Sequence, residues 1–292
     1  MKKKSTEDVI VNLVVYTILI FLVIVTFYPV WHVVVASFSD GATIAKNNGF
    51  MLWPDEIKTE AYKLVFSNRL IMNSLKNSLI ILGVSLPINI VMTMLTGYFM
   101  ACENMIWKKP VVGMIMFTMF FGGGMIPSFL NIKDLGLYNT LWALVLPGAV
   151  TVYNCIICKT AIEGVPNSLK ESAYLDGAND LQVIFRILLP LIKPTLAVLI
   201  LYYGVSHWNA WFNASIYIKD FEKLPVQNII RSLTQQYTSE LEAGVSLGDN
   251  YDDYAETIKY AAIVITSAPI MCVYPFLQKY FAKGTMIGAV KG

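Results

Sequence analysis

Charged residues are scarce in this chain. Only 14% of its 292 residues are Asp, Glu, Lys or Arg, against roughly 25% in soluble domains. Histidine occurs twice and cysteine four times. The scarcity excludes an ordinary water-soluble domain. The formal net charge of +2 carries no nucleic-acid signal, and no nucleic-acid partner is expected. No Gly-x-x-x-x-Gly-Lys-Ser/Thr loop is present to cradle nucleotide phosphates. Two histidines at span ends and no paired intramembrane carboxylates leave no metal cluster or Ser/His/Asp constellation from which to assemble an enzyme's site. Cys155 and Cys158 have metal-site spacing, but no second pair and no nearby histidine completes it. They read as buried structural thiols, with neither a disulfide nor a metal expected.

What fills the chain instead is apolar. Hydrophobic residues make up 56%, and the mean hydropathy is +0.57. A spanning helix needs about 20 mostly apolar residues. Six candidates lie near 11–36, 77–101, 111–130, 140–158, 194–217 and 260–280. The expected fold class is therefore an all-α integral membrane protein with six transmembrane helices, one domain over residues 1–292. Lys2-Lys3-Lys4 before an apolar run, with Val34-Val35-Ala36 after it, imitates a signal peptide. The run is too long for a signal core and holds Pro29 and His32, which favours an uncleaved first span.

Six spans put both termini on one side, with the segments near 102–110 and 159–193. That side holds twelve Lys/Arg and seven Asp/Glu, and the other ten and thirteen. The basic bias makes it cytoplasmic. The interiors of the six spans hold no Asp, Glu, Lys or Arg. Carriers that move protons or ions keep such groups as relays and ligands. Their absence argues against a stand-alone secondary carrier, the main alternative. His32 and His207 sit near outer span ends and read as satisfied interfacial histidines. Energy is therefore expected from a separate motor.

The segment between the fourth and fifth spans is where a motor can dock. Ser168-x-x-Glu171 after Pro166 predicts a capping box at a helix start. Asp176-Gly177 predicts its end, because glycine takes the left-handed conformation that stops a helix. Asn179 or Asp180 predicts the cap of a second helix, with Leu181, Ile184, Ile187 and Leu188 at helical spacing. Pro190 predicts an end or kink before the next span. An ordinary amphipathic surface loop has the same caps.

Six positions in this segment, Glu171, Ala173, Gly177, Ile187, Leu189 and Pro190, fall in register with the coupling loop of ABC-importer permeases. That pattern is Glu-Ala-Ala, three residues, Gly, nine residues, Ile-x-Leu-Pro, and Ser172 is the one departure. Further segments resemble the carbohydrate-uptake permeases, closest to the maltose-type second permease and within it to complex-oligosaccharide permeases. They are Phe120–Pro127, Asp134–Thr140, His207–Asn213 and Gly284–Gly292.

The resemblance implies a permease subunit of a binding-protein-dependent importer of sugars or oligosaccharides. Such a subunit forms half of a translocation path and works by alternating access. It is multi-pass in the bacterial cytoplasmic membrane, with both termini cytoplasmic. Implied partners are a second homologous permease, two ATPase subunits and an extracytoplasmic solute-binding protein. The last would meet loops 38–73 and 218–258. ATP and Mg would be bound by the ATPases, leaving this chain without a cofactor or catalytic residue.

Within the coupling loop, residues 163–190, residues 169–176 would form the helix that enters the ATPase. Glu171, Ser172, Ala173, Tyr174, Asp176, Gly177, Ala178, Ile187, Leu189 and Pro190 are its coupling residues, and the 284–292 tail would reach the ATPases too. Candidate path residues are Gly122, Gly123 and Gly124, read as a hinge or as close helix packing. The others are Trp208, Asn209, Trp211 and Asn213, read as a sugar-stacking group or as an interfacial aromatic belt. The acidic run Asp249–Glu256 suits a basic partner or plain solvation. The resemblance further suggests plant or algal polysaccharide fragments, uronic-acid-containing ones among them.

Overall fold

The structure, a computed structural model, describes residues 6–47, 50–102, 107–242, 257–273 and 275. Among these the chain is helical, with no strand. The helices are α1 (Thr6–Ser37), α2 (Gly41–Lys46), α3 (Glu60–Ser67), α4 (Arg69–Ala101), α5 (Lys108–Phe120), α6 (Met125–Asp134) and α7 (Trp142–Val145). They continue with α8 (Val152–Glu163), α9 (Asn167–Leu175), α10 (Asp180–Leu191), α11 (Lys193–Trp208), α12 (Phe212–Tyr217), α13 (Val226–Glu242) and α14 (Thr257–Val273).

Two expected spans are continuous helices long and apolar enough to cross a bilayer, α1 and α4. From Ile10 to Val25 the large apolar side chains of α1 are each 46–67% exposed. A helix apolar on every face suits lipid or another membrane helix, not water. The α4 helix starts well before the expected Asn77. Asn68 caps it, its Oδ1 accepting from the Leu70 and Ile71 amides at 3.0 and 3.3 Å.

Three expected spans are broken. The 111–130 segment becomes α5 and α6, bent by 117°. Gly124 supplies the turn with φ 86, a conformation that any Cβ disfavours. A Cβ built on Gly122 or Gly124 meets nothing within 4 Å. A Cβ on Gly123 meets Pro127 Cβ at 3.7 Å, an ordinary contact. The 140–158 segment breaks at 146–151, around Pro147-Gly148, between α7 and α8. In the 194–217 segment α11 stops at Trp208, and α12 is a separate short helix. The final segment is helical as α14, and its end lies outside the described residues. Segments 38–73 and 218–258, expected as loops, carry α2, α3, α13 and the start of α14.

Irregular backbone at membrane depth must find its hydrogen bonds inside the protein, and the 146–151 break does. Buried Asn89 donates from Nδ2 to the Gly148 and Ala149 carbonyls at 2.7 and 3.2 Å. Its Oδ1 therefore faces His207 Nε2, 3.0 Å away, so that nitrogen carries the proton. Buried Tyr203 accepts from the Thr151 amide at 3.2 Å and pairs with Thr93 Oγ1 at 2.7 Å. His207 is thus satisfied by the Asn89 amide.

Contacts divide the chain into two compact units, residues 1–72 with 230–268 and residues 73–229 with 269–292. In the first, Val35, Ala36, Ile44 and Met51 form a small core with Trp31 and Tyr260 packed on it. Asp40 caps α2 by accepting from the Thr43 amide at 2.7 Å and pairs with Lys58 at 2.5 Å. The second unit holds the larger core, built from α4, α8, α9, α10 and α11. It also contains the turn at Asn139 (φ 59), whose Oδ1 accepts from the Lys219 and Asp220 amides at 3.1 and 3.0 Å.

Candidate functional site

The 163–190 loop folds as a pair of short helices with a sharp corner. Helix α9 begins at Asn167, with Pro166 at the N-cap and no side-chain cap. The capping box expected from Ser168 and Glu171 is absent. Pro166 has its φ at −55 and the helix starts two residues earlier than a Ser168 cap would start it, leaving Ser168 inside the first turn. The C-terminal end follows the expectation. Gly177 has φ 81, its amide donates to Tyr174 O at 3.0 Å, and the Ala178 amide donates to Ala173 O at 2.9 Å. These two bonds are a Schellman cap, which satisfies the last carbonyls of α9.

The corner then restarts as a helix without slack. Asn179 Oδ1 accepts from the Gln182 amide, and the Gln182 side chain accepts from the Asn179 amide, both at 2.9 Å. The capping box thus lies at the second helix rather than the first. Val183–Leu188 is π-helical. Pro190 removes a backbone donor beside this widened stretch. The sharp bend, 90°, falls not at Pro190 but at Ile192, just ahead of Pro194. Ile184 and Leu188 are buried, whereas Leu181, expected on the same face, is exposed.

Inward-facing side chains of this loop merge with the spans. Ala173, Val183, Ile184 and Leu188 share one core with Met94 and Tyr98 of α4, Cys158 and Ile162 of α8, and Leu196 and Leu199 of α11. Ala178, Ile187 and Leu189 pack at its edge. The α4–α8 contact is close. A Cβ on Gly97 would lie 2.9 Å from Cys158 Cβ and Sγ. Cys155 and Cys158 are buried in this packing, the structural setting expected of them.

The outward side is different in kind. Glu171, Ser172, Asp176 and Gly177 are exposed. Leu175 is 89% exposed, and Leu169 and Leu181 lie open as well. Beside them lies a cleft of ≈ 560 Å³ lined by Tyr98, Cys102, Glu163, Lys170, Glu171, Tyr174 and Asp180 among others. Glu163 is paired with Lys159 at 3.1 Å.

Three oxygen atoms close the inner wall of this cleft. Tyr98 Oη lies 2.5 Å from Tyr174 Oη and 2.9 Å from Asp180 Oδ1, and Tyr174 Oη lies 2.7 Å from that same oxygen. Burial, more than any neighbour, pushes the Tyr174 phenol above its ordinary range, so it stays a donor. Tyr98, Asp180 and Leu175 were not among the sequence-derived site residues. A tyrosine near a span end gives no local signal of a partner 76 residues away.

The path candidates do not gather into one group. Trp208 is 2% exposed, its Nε1 lacks a hydrogen-bond partner, and it borders an apolar cavity of ≈ 170 Å³ with Leu79, Leu86, Ile200 and Pro269. Asn209 and Asn213 are exposed. Trp211 stacks edge-on against Phe212 at 5.6 Å, and its carbonyl accepts from Asn228 Nδ2 at 3.0 Å. Gly122, Gly123 and Gly124 are exposed at the α5–α6 bend. The 284–292 tail and the acidic 249–256 run lie outside the described residues. Among the described residues no cluster of His, Cys, Asp or Glu is placed to hold a metal.

Comparison with known proteins gives a consistent result. Residues 66–287 match the family described as binding-protein-dependent transport system inner membrane component. The polygalacturonan/rhamnogalacturonan transport system permease protein YtcP of Bacillus subtilis (strain 168) is 36% identical over 282 residues, spanning 96% of this chain and 98% of that protein. Protein LplC of the same strain is 39% identical over 271 residues, spanning 92% and 90%. The fold superposes with a TM-score of 0.85 on a solved bacterial ABC transporter involved in the import of the acidic polysaccharide alginate. Identity there is 28%, over 96% of this chain and 100% of that one. A helical chain of apolar spans with this match along most of its length belongs to the binding-protein-dependent transport system inner membrane components, the multi-pass permease subunits of bacterial ABC importers.

Proposed function

We propose that this chain forms half of the translocation path of an ATP-driven importer for oligosaccharides cut from acidic, uronic-acid-containing polysaccharides. A second, homologous permease supplies the other half. Two ATPase subunits bind ATP and Mg on the cytoplasmic side, and a solute-binding protein delivers sugar from outside. The chain itself carries no cofactor and no catalytic residue. Both termini and the 163–190 loop face the cytoplasm.

One observation carries the coupling role. The loop is closed by a Schellman cap and a capping box, sealed on its inner side into the core of α4, α8 and α11, and open on its outer side at Leu175, Leu169 and Leu181. A partner that moves α9 therefore moves the spans packed on it. Glu171, Ser172, Tyr174, Asp176 and Gly177 would face or shape that contact. Ala173, Ala178, Ile187, Leu189 and Pro190 would hold it to the spans. ATP closes the ATPase dimer, α9 is levered, and the spans rock between inward-open and outward-open states.

The substrate class rests on the relatives, one named for polygalacturonan and rhamnogalacturonan and another for alginate. The glycine hinge at 122–124 and the residues Trp208, Asn209, Trp211 and Asn213 remain the proposed path contributions. The experiment is uptake into proteoliposomes holding both permeases and the ATPases, with the binding protein and defined oligogalacturonates outside. Uptake that requires ATP inside and survives collapse of the proton gradient supports the proposal. Uptake driven by an ion gradient without ATP would replace it with the secondary-carrier reading.

A further inference from the structure

The triangle of Tyr98, Tyr174 and Asp180 does more than the loop's own fold requires. The α9–α10 corner is already closed by the two backbone bonds at Gly177 and Ala178 and by the Asn179–Gln182 pair. The Tyr174–Asp180 bond lies wholly within that corner. Tyr98 comes from α4, an element remote in sequence, and it is buried.

The protons fix the direction of the link. Two phenols bring two protons to three oxygen–oxygen edges, and an ionised carboxylate brings none. Both phenols donate to Asp180 Oδ1, Tyr98 at 2.9 Å and Tyr174 at 2.7 Å, while the two phenol oxygens lie 2.5 Å apart. The carboxylate anchors both phenols through charge-assisted bonds and so ties α9 and α4 to one oxygen. Ala173 is the one buried residue of α9. Its methyl contact is non-directional and yields to sliding, whereas a hydrogen-bonded link fixes distance and angle together.

We infer that Tyr98 and Asp180 are positioning residues that latch the ATPase-facing helix α9 to the end of α4. The stroke given to α9 then reaches α4 through a directional link in addition to the apolar core shared with α4, α8 and α11. The inference rests on the proposed coupling role of the loop. It adds two residues and a second mechanical route to that role.

The test uses the reconstituted complex, with sugar imported per ATP hydrolysed as the readout and ATPase co-purification alongside. Tyr98→Phe removes one hydroxyl and leaves Tyr174–Asp180 intact. It should keep the ATPase bound while sugar delivered per ATP falls roughly five-fold, the scale of one lost hydrogen bond. Asp180→Ala should fall similarly. Asp180→Asn keeps a carbonyl acceptor and should stay within about two-fold of the unaltered protein. A normal ratio in Tyr98→Phe overturns the latch, as does an Asp180→Asn variant no better than Asp180→Ala. If Tyr98→Phe fails to accumulate, the Asp180 pair decides. An unaltered complex that does not retain the ATPase overturns the coupling role itself, and the latch with it.

Discussion

Replacing Gly177 with alanine tests the corner on which the functional reading turns. Gly177 sits at φ 81, where an L residue costs roughly 1–2 kcal/mol. A Cβ there meets nothing within 4 Å, so no steric term adds to the backbone cost. Alanine also removes freedom from the unfolded chain, which offsets about 0.4–1 kcal/mol. Taking the middle of each range, the net destabilisation is about 0.8 kcal/mol, or roughly a four-fold loss of protection. The assay is amide hydrogen exchange at Gly177 and Ala178, whose N–H groups close the Schellman cap. Gly177→Ala should speed exchange at these sites by that factor and leave α1 unchanged. Gly177→Asn should be milder, because asparagine visits the left-handed region. Unchanged protection in the alanine variant, or equal damage by asparagine, would refute the argument.

Three further outcomes follow from other parts of the chain. Gly97→Ala pushes a methyl to 2.9 Å from Cys158 and 3.2 Å from the Lys159 backbone, so α4 and α8 must part. Thermal unfolding should show about 1–3 kcal/mol of destabilisation, and Cys158→Ala should not fully rescue it, since the Cβ clash remains. Asn89→Ala strips the Gly148 and Ala149 carbonyls and His207 of their partner. It should cost roughly 1–3 kcal/mol in the same assay, while exposed Asn209→Ala should be near neutral. The Lys58 hydrogen bond and the Thr43 cap hold the Asp40 carboxyl at about 2, below its ordinary 3.8. Its contribution is therefore full above about pH 4 and fades as pH falls through about 2. Both side chains are partly exposed, so solvent screening leaves about 1 kcal/mol. Exchange of the Thr43 amide should rise over that window, and Asp40→Asn should abolish the pH dependence.

Local chemistry was legible in the residues, and distant chemistry was not. Gly177 and Asn179 announced the corner because each acts on backbone within a few positions. The Gly122–Gly124 run offered a hinge or close helix packing with equal force, and nothing local in it specifies a bend of 117°. The break at Pro147-Gly148 was read as a continuous span. Its flanks are apolar, and the amide that makes it tolerable belongs to Asn89, 59 residues away from Gly148. Ser168 carried a capping signature, but Pro166 started the helix first. Leu181 lies in the first turn after the corner and is exposed, although its spacing matches that of buried Ile184 and Leu188. Tyr98 looked like any aromatic near a span end, and only the fold brings it to Tyr174 and Asp180.

The central claim is that the 163–190 loop receives the ATPase. Photo-crosslinking from a probe at Leu175, the most exposed apolar side chain of the loop at 89%, tests it most directly. Phe221, exposed at 66% in a segment assigned to the opposite side, serves as the control. The account predicts an adduct with the ATPase from Leu175 that changes with nucleotide, and none from Phe221. An ATPase adduct from Phe221, or none from Leu175 in an assembled complex, would contradict it.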